Sequence, residues 1–459
     1  MKIKNCERGS ITAPLLIIST AFIIVIYGLL FMITTQFENV QRQTQYDQAL
    51  SIAEAGINYY RWHLAHAPND YQDGTNHDGP YLHQFIDSQG KELGSYELTI
   101  DPPINGSAII TLHSTGWTNQ NPEIKRKITA QYGIPSLTKY SFLTNASSWY
   151  GEGITVNGRI HSNNGIRMDG INTSIVSSSL QQYHCGSETG CSPTQWKPGV
   201  WGSGPNYSMW QFPVASIDFD AVFFDLANMR DQADAVGIHL NDSRSEGYHF
   251  VFRNTGSVDI YKVTRTDSFH GYTANEGCRR LNQKIDRESF VASYQLSQKQ
   301  LFFVEDQVWV EGIIKGKVTV VAAKFPLQSN QTDIIINNNL VYAAKDGSNS
   351  IGLIASNDVI FNRDLPNNFE VDGALMAQEG KVIRHGYLWN CGSSANAVRN
   401  SLTIYGSLLS FQKSYWNFGT APDSGFRTRI ITYDANLLYA PPPYFPTDGE
   451  YEFISWKED

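Results

Sequence analysis

The sequence predicts an α+β chain: one long N-terminal helix, a small antiparallel β region, and a large all-β body resembling a right-handed β-helix (β-solenoid) with a helix–hairpin insert. Three observations predict it. Residues 13–33 are almost wholly aliphatic or aromatic, and roughly 20 such residues cross the hydrocarbon core of a bilayer as a helix. Helical periodicity then continues into a polar stretch, and beyond residue 135 a glycine-centred pattern recurs among short β runs.

Residues 1–9 form a charged leader ending in Arg8-Gly9, in which Lys2, Lys4 and Arg8 outnumber Glu7. Cationic flanks stay on the cytoplasmic side, so the remainder is extracytoplasmic and the chain is single-pass in the cytoplasmic (inner) membrane. A secretory signal peptide is the plainer alternative. It requires small residues to close the apolar run, whereas Phe31-Met32-Ile33 leads into Thr34-Thr35-Gln36-Phe37. After the apolar run neither Gly nor Pro appears until Gly56, and Leu50, Ala53, Ile57, Tyr60 and Leu64 recur at steps of three and four. The helix therefore spans 10–66, with a transmembrane part at 13–33 and a later stripe that needs a partner.

Residues 67–134 make the small β region. Its first part, 67–90, is loop-like and rich in Asp, Asn and Gly, and β runs follow at 95–100, 108–113 and 124–132, with turn signals at Pro102-Pro103, Asn105-Gly106 and 119–122.

The strings Glu7-Arg8-Gly9-Ser10 and Asp47-Gln48-Ala49-Leu50-Ser51-Ile52-Ala53-Glu54-Ala55-Gly56-Ile57, with the apolar helix between them, resemble the N-terminus of PilX-type minor pilins of type IV pili. The resemblance covers about 60 residues. It implies that prepilin peptidase cuts between Gly9 and Ser10, that Ser10 begins the mature chain, and that the helix packs against other pilin-like subunits. Major pilins usually carry Glu at mature position five, and this chain has Pro14 there. That departure resembles the pseudopilin at the tip of type II secretion fibres and implies a tip or minor subunit. A first-turn proline loses no helical hydrogen bond.

In the body, an apolar residue, Gly and a second apolar residue recur in Val156-Asn-Gly158-Arg-Ile160, Val310-Glu-Gly312-Ile-Ile314, Val371-Asp-Gly373-Ala-Leu375 and Ile404-Tyr-Gly406-Ser-Leu408. Imperfect repetition of short strands punctuated by Asn and Gly marks a β-solenoid, in which stacking creates the core. A β-sandwich also gives short strands, but the repeated glycine favours the solenoid, because coil corners need positive φ or close backbone approach. A first solenoid segment is placed at 135–205, an insert at 206–305 and the main solenoid at 306–420. The insert holds an amphipathic helix over 218–238, with Val222, Leu226, Met229, Ala233 and Val236 on one face, and a hairpin of 248–254 with 257–264 through Thr255-Gly256.

A Pro-rich tail occupies 421–459, where Pro441-Pro442-Pro443 imposes an extended conformation suited to covering a coil edge. This tail and Gly158-Arg-Ile-His161-Ser-Asn163 resemble segments of large exported proteins that join a PilX-like N-terminus to a β-helical body.

Composition fits an exported scaffold. Charged residues are 17% against roughly 25% in average soluble domains, and 37 Gly, 24 Tyr, 23 Phe and 10 Trp suit turns and aromatic-rich strands. A net charge of −9 without a basic block argues against nucleic acid as a partner. Of five cysteines, Cys6 lies in the leader, and Cys185, Cys191, Cys278 and Cys391 can pair in an oxidising compartment. Four cysteines allow three connectivities, and close spacing favours Cys185 with Cys191, leaving Cys278 with Cys391. A zinc reading recruits His184 or His161, but no second Cys/His pair has finger-like spacing.

Signals for catalysis are few. Asp358, Asp364 and Asp372 are carboxylates that could converge on a solenoid groove as acid and base, although acidic residues at turns more commonly are solvated corners. His161, beside asparagines, reads as part of a polar ladder. No Walker loop, dinucleotide fingerprint, His-Glu-x-x-His or Gly-x-Ser-x-Gly occurs. Trp196, Trp201 and Trp210 with Tyr207 either anchor a long loop or stack on sugar rings. The reading is a structural and interaction protein, not an enzyme, with no cofactor or metal: a minor pilin-like subunit displaying a β-solenoid at the cell surface for adhesion. The alternatives are a membrane-anchored carbohydrate-active enzyme and a glycan-binding adhesin, for which a surface glycan is the partner.

Overall fold

A computed structural model describes residues 11–103, 109–219, 226–274, 276–392, 394–419, 422–446 and 451–459. One long N-terminal helix with an apolar first half precedes a mostly-strand remainder. The chain divides into two compact units: a head of Met1–Pro102, Ile110–Tyr132 and Phe453–Asp459, and a body of Pro103–Ile109 and Gly133–Glu452.

In the head, helix α1 runs over Thr12–His66. Its second half buries Ala49, Ile52, Ala53, Ile57, Tyr60 and Leu64. The stripe read from the sequence holds at Ala53, Ile57, Tyr60 and Leu64, with Ala49 and Ile52 buried beside it, whereas Leu50 is only half-buried. The sheet has the order Tyr81–Ile86, Glu92–Asp101, Ile109–Thr118, Lys125–Gly133 and Glu452–Glu458. Alternating Leu98, Ile110, Leu112, Ile128 and Ala130 are buried, as the period of two in a strand requires. Helix and sheet meet closely at Gly116, where an added Cβ would lie 2.4 Å from Ala53 N and 2.5 Å from the Ala49 carbonyl oxygen.

Two of these strands were not among the β runs read from the sequence. Tyr81–Ile86 falls in the stretch read as loop, because it buries only Tyr81 and so carries little apolar alternation. Glu452–Glu458 falls in the tail, and its neighbour in the sheet, Lys125–Gly133, lies far earlier in the chain. It is held there by an Arg126–Glu458 ion pair and by Asp459 N donating to the Lys127 carbonyl.

The body is built on three long parallel ladders and a short parallel sheet of Ser148–Tyr150, Ile166–Met168 and Val200–Trp201. The first runs through Ile238–Leu240, Leu301–Val304, Lys317–Ala322, Ser350–Ala355, the ends of Asn368–Ala377 and Val398–Ser410, then Phe142–Thr144, Ile160–Ser162, Val176–Ser178 and Trp210–Gln211. Ile238, Phe302, Val320, Leu353, Leu375, Leu408, Phe142, Ile160, Val176 and Trp210 stand in one register column on its inner side. The second ladder joins Gly247–Arg253, Val308–Ile314, Ile334–Tyr342, Val359–Phe361 and Val382–Ile383. The third joins the later parts of Val308–Ile314 and Ile334–Tyr342 to Asn368–Ala377, Val398–Ser410, Gly425–Thr432, Ile154–Asn157 and Ile171–Asn172. Inward residues of all three, among them Val320, Phe361 and Ile404, form one apolar core. A sandwich would instead be built from antiparallel strands.

Spatial order departs from chain order. Strand Phe142–Thr144 pairs with Val398–Ser410, so residues 142–211 stack beyond the C-terminal strands, and the segment after Gln211 returns to the opposite end of the first ladder. That return includes helix α2, Leu226–Ala235, which packs Leu226, Met229 and Ala233 against the outward Phe303, Val321 and Ile354. Part of the predicted helix, 220–225, lies outside the described residues. The predicted hairpin is present as Gly247–Arg253 with Ser257–Thr273, and a third antiparallel strand, Gly277–Gln295, extends it. This extension covers the second ladder, where Val263 packs on Trp309, Ile335, Ile360 and Ile383, and Trp309 Nε1 donates to the Gln283 carbonyl at 2.8 Å.

Gly373 and Gly406 sit where long strands pass from the third ladder to the first, and Gly312 sits where Val308–Ile314 passes from the second ladder to the third. Gly312, Gly373 and Gly406 have φ of 117°, 143° and 151°, and Gly373 pairs with Gly406 across adjacent strands. A Cβ on Gly406 would lie 1.9 Å from the Gly373 carbonyl oxygen.

Candidate functional site

The feature with the clearest functional chemistry is the first half of α1. Every described side chain from Ile11 to Thr44 is exposed, including Leu15, Phe22, Ile26, Leu30 and Ile33. Among the described residues this is one helix long and apolar enough to cross a membrane. Pro14 sits in its first turn, where a missing N–H costs no intrahelical bond. Gly9 and Ser10, the expected processing site, lie outside the described residues. Thr20, Thr34 and Thr35 turn their hydroxyls back onto carbonyls of the preceding turn, so the stripe offers few free polar groups to an apolar environment.

The body keeps the three candidate carboxylates in separate hydrogen-bond clusters. Asp372 is fully buried and accepts from Tyr342 N at 2.8 Å and Lys345 Nζ at 2.9 Å; burial pushes its carboxyl up to about 6. Asp358 accepts from Lys381 N at 2.9 Å, and burial together with the neighbouring Asp333 carboxylate raises it to about 6. Asp333 itself is raised by burial and accepts from Asn357 and from Asp358 N. Asp364 forms a two-point pair with Arg363 and accepts from Asn396 Nδ2. Among the described residues no hydrogen-bonding partner is shared by Asp358, Asp364 and Asp372.

His161 is buried in the register column Leu143, His161, Ser177. Its ring contacts Ser177 Oγ at 3.0 Å and Asn163 Oδ1 at 3.2 Å, while Asn163 bonds Asn145 and the Ile217 backbone. Burial lowers its pKa and favours neutral imidazole.

Cys185 is disulfide-bonded to Cys191, and Cys278 to Cys391. The four thiols are thereby engaged with one another, and among the described residues no group of three His, Cys, Asp or Glu is placed to hold a metal ion.

The tryptophans divide. Trp201 Nε1 donates to Tyr183 Oη at 2.8 Å, Trp210 Nε1 reaches Asn172 Oδ1 at 3.4 Å, and both rings are partly covered. Trp149, Arg167 and Trp201 stand in register, with the guanidinium 4.3 Å and 4.9 Å from the two ring centroids. Trp196 and Tyr207 are 68% and 72% exposed.

Sequence reasoning missed a His–Asp network in the loop after α1. Asp70 accepts from Gln72 N, Gly74 N and His63, and the backbone donors foremost hold its carboxyl below the usual range. Asp73 pairs with His83 at 2.7 Å. Of these residues Asp70 and Gln72 line an open cleft of about 690 Å³, together with Asn76, Asp78 and Tyr81. The Asp/Asn/Gly richness of 67–90 was the available signal, and it reads equally as plain loop.

No protein-family model matches the chain, and no curated protein matches it. Among solved structures it is similar to the competence-associated pilin ComZ from Thermus thermophilus, at 14% identity over 90% of this chain and 98% of that chain, with a TM-score of 0.32. At that score the likeness decides neither fold nor role.

Proposed function

We propose that the chain is a minor pilin-like structural subunit, held in the membrane by α1 before assembly and packed through α1 against other pilin-like helices in a type IV pilus or related filament. The body, read as a β-solenoid, is displayed outward for surface contact. One observation carries this reading: α1 docks its polar half on the head sheet and leaves its apolar half wholly uncovered. Such a half-helix is stable in lipid, and outside lipid it needs other apolar helices around it. The leader ending at Gly9, with Ser10 as the mature start, supplies the processing step, and Pro14 in place of the usual carboxylate favours a tip or minor position. A non-enzymatic role accords with Asp358, Asp364 and Asp372 each being engaged in a separate local cluster.

The test is a Gly9→Leu variant in the native host. The wild-type chain is expected in sheared surface filaments, and the variant only in the membrane with its leader attached. Equal recovery of both from the sheared fraction would contradict the proposal.

A further inference from the structure

We propose that the outward face of the hairpin formed by Gln182–Cys185 and Gln195–Pro198 is a binding site for a neutral, hydroxyl-rich glycan, with the Trp196 indole as its stacking platform. The site deepens the surface-contact reading, on which its biological use rests. The hairpin pairs Gln182 with Pro198, Tyr183 with Lys197, His184 with Trp196 and Cys185 with Gln195. Alternation along the strands then sorts the side chains into two faces. Tyr183 and Cys185 turn inward and are buried with Cys191 against Trp201. Gln182, His184, Trp196 and Pro198 turn outward and are exposed.

The inner face fixes the outer one. The Cys185–Cys191 disulfide closes the hairpin end, Arg167 Nη1 donates to the Thr189 carbonyl at 3.2 Å, and Lys413 Nζ donates to the Glu188 carbonyl. Trp201 Nε1 holds the Tyr183 hydroxyl. The platform is thus ordered before any ligand arrives, which reduces the entropy cost of binding.

The chemistry of the face selects the ligand. Trp196 is 68% exposed and has the His184 ring beside it, centroids 5.3 Å apart and planes tilted by 50°. A large indole face left in water favours a flat apolar partner, and the C–H face of a pyranose supplies one. Gln182 offers both amide donors and an acceptor, and His184 a ring nitrogen, to hydroxyls at the sugar rim. The outward residues of the two strands, Gln182, His184, Trp196 and Pro198, include no Asp, Glu, Lys or Arg, so the strands bring no fixed charge to match an ionic ligand. A net charge of −9 on the whole chain further disfavours polyanions.

The experiment uses the full-length chain in detergent on an array of neutral hexasaccharides (cello-, manno-, malto- and chito-) beside hexagalacturonate. Wild type is expected to bind at least one neutral series, and Trp196→Ala to lose at least about tenfold in affinity while melting at the wild-type temperature. Trp389→Ala, which removes an indole 83% exposed elsewhere on the body, is expected to bind like wild type. Absence of binding to every neutral glycan, equal binding by Trp196→Ala, or preference for the galacturonate would each overturn the assignment. The N-terminal peptide of the chain recovered from native filaments is scored separately, so failure to bind glycan and failure to be processed as a pilin are read independently.

Discussion

Gly406→Ala tests the physical basis of the repeated glycines. At this position φ is 151°, a region open essentially to glycine, and forcing an L-residue there costs about 1–3 kcal/mol. The new Cβ would also lie 1.9 Å from the Gly373 carbonyl oxygen, against an ordinary contact of about 3.4 Å or more. Both atoms belong to backbone inside a parallel ladder, so relief requires the two strands to part and weakens neighbouring ladder hydrogen bonds, each worth about 1 kcal/mol. The sum is about 3–5 kcal/mol of lost stability. Gly277→Ala is the matched control, because its φ is 68° but nothing stands within 4 Å of the new Cβ. It isolates the conformational cost, about 1 kcal/mol. Chemical denaturation of both full-length variants in detergent measures the difference. A Gly406→Ala variant as stable as Gly277→Ala would refute the close-approach argument.

Two further perturbations address the head and the buried acids. Gly116→Ala drives a Cβ into the α1 backbone at Ala49 and Ala53, and about 2–4 kcal/mol is expected to be lost from the head, read as faster amide exchange along residues 49–64 and the sheet. Asp372 has a folded pKa raised to about 6 by burial, so folding favours its protonated form. Its contribution to stability is greatest below the unfolded value near 4 and falls as pH rises toward 6. Asp372→Asn is therefore expected to flatten the loss of stability between pH 4 and 6, and at pH 8 to gain on wild type by about 1–3 kcal/mol relative to their difference at pH 4. An unchanged pH profile in denaturant melts would contradict this.

Local features were legible where local chemistry determines structure. The long helix follows from the apolar run and the stripe Ala53, Ile57, Tyr60 and Leu64, which the head sheet covers. The glycines at 312, 373 and 406 were visible because a positive φ beside a neighbouring strand leaves few alternatives. Long-range arrangement was not legible. Nothing near Phe142 states that it pairs with Leu408, and nothing near Phe453 states that its strand joins the head sheet. Tyr81–Ile86 was hidden because one buried residue leaves little apolar alternation. The tryptophans were visible as a group, but their separation was not: Trp196 is exposed on the outer face of the hairpin, Trp201 is partly covered by its inner face, and Trp210 is partly covered in the first ladder. The head's His–Asp network was hidden because its histidines and aspartates come from a helix, a loop and a strand.

We infer that α1 is a processed filament helix rather than a plain anchor. The most direct test is mass spectrometry of the N-terminal peptide of the native protein in envelope and sheared-surface fractions. A mature chain beginning at Ser10 in the sheared material is the predicted result. An intact leader confined to the membrane would contradict the claim and leave α1 as a tether.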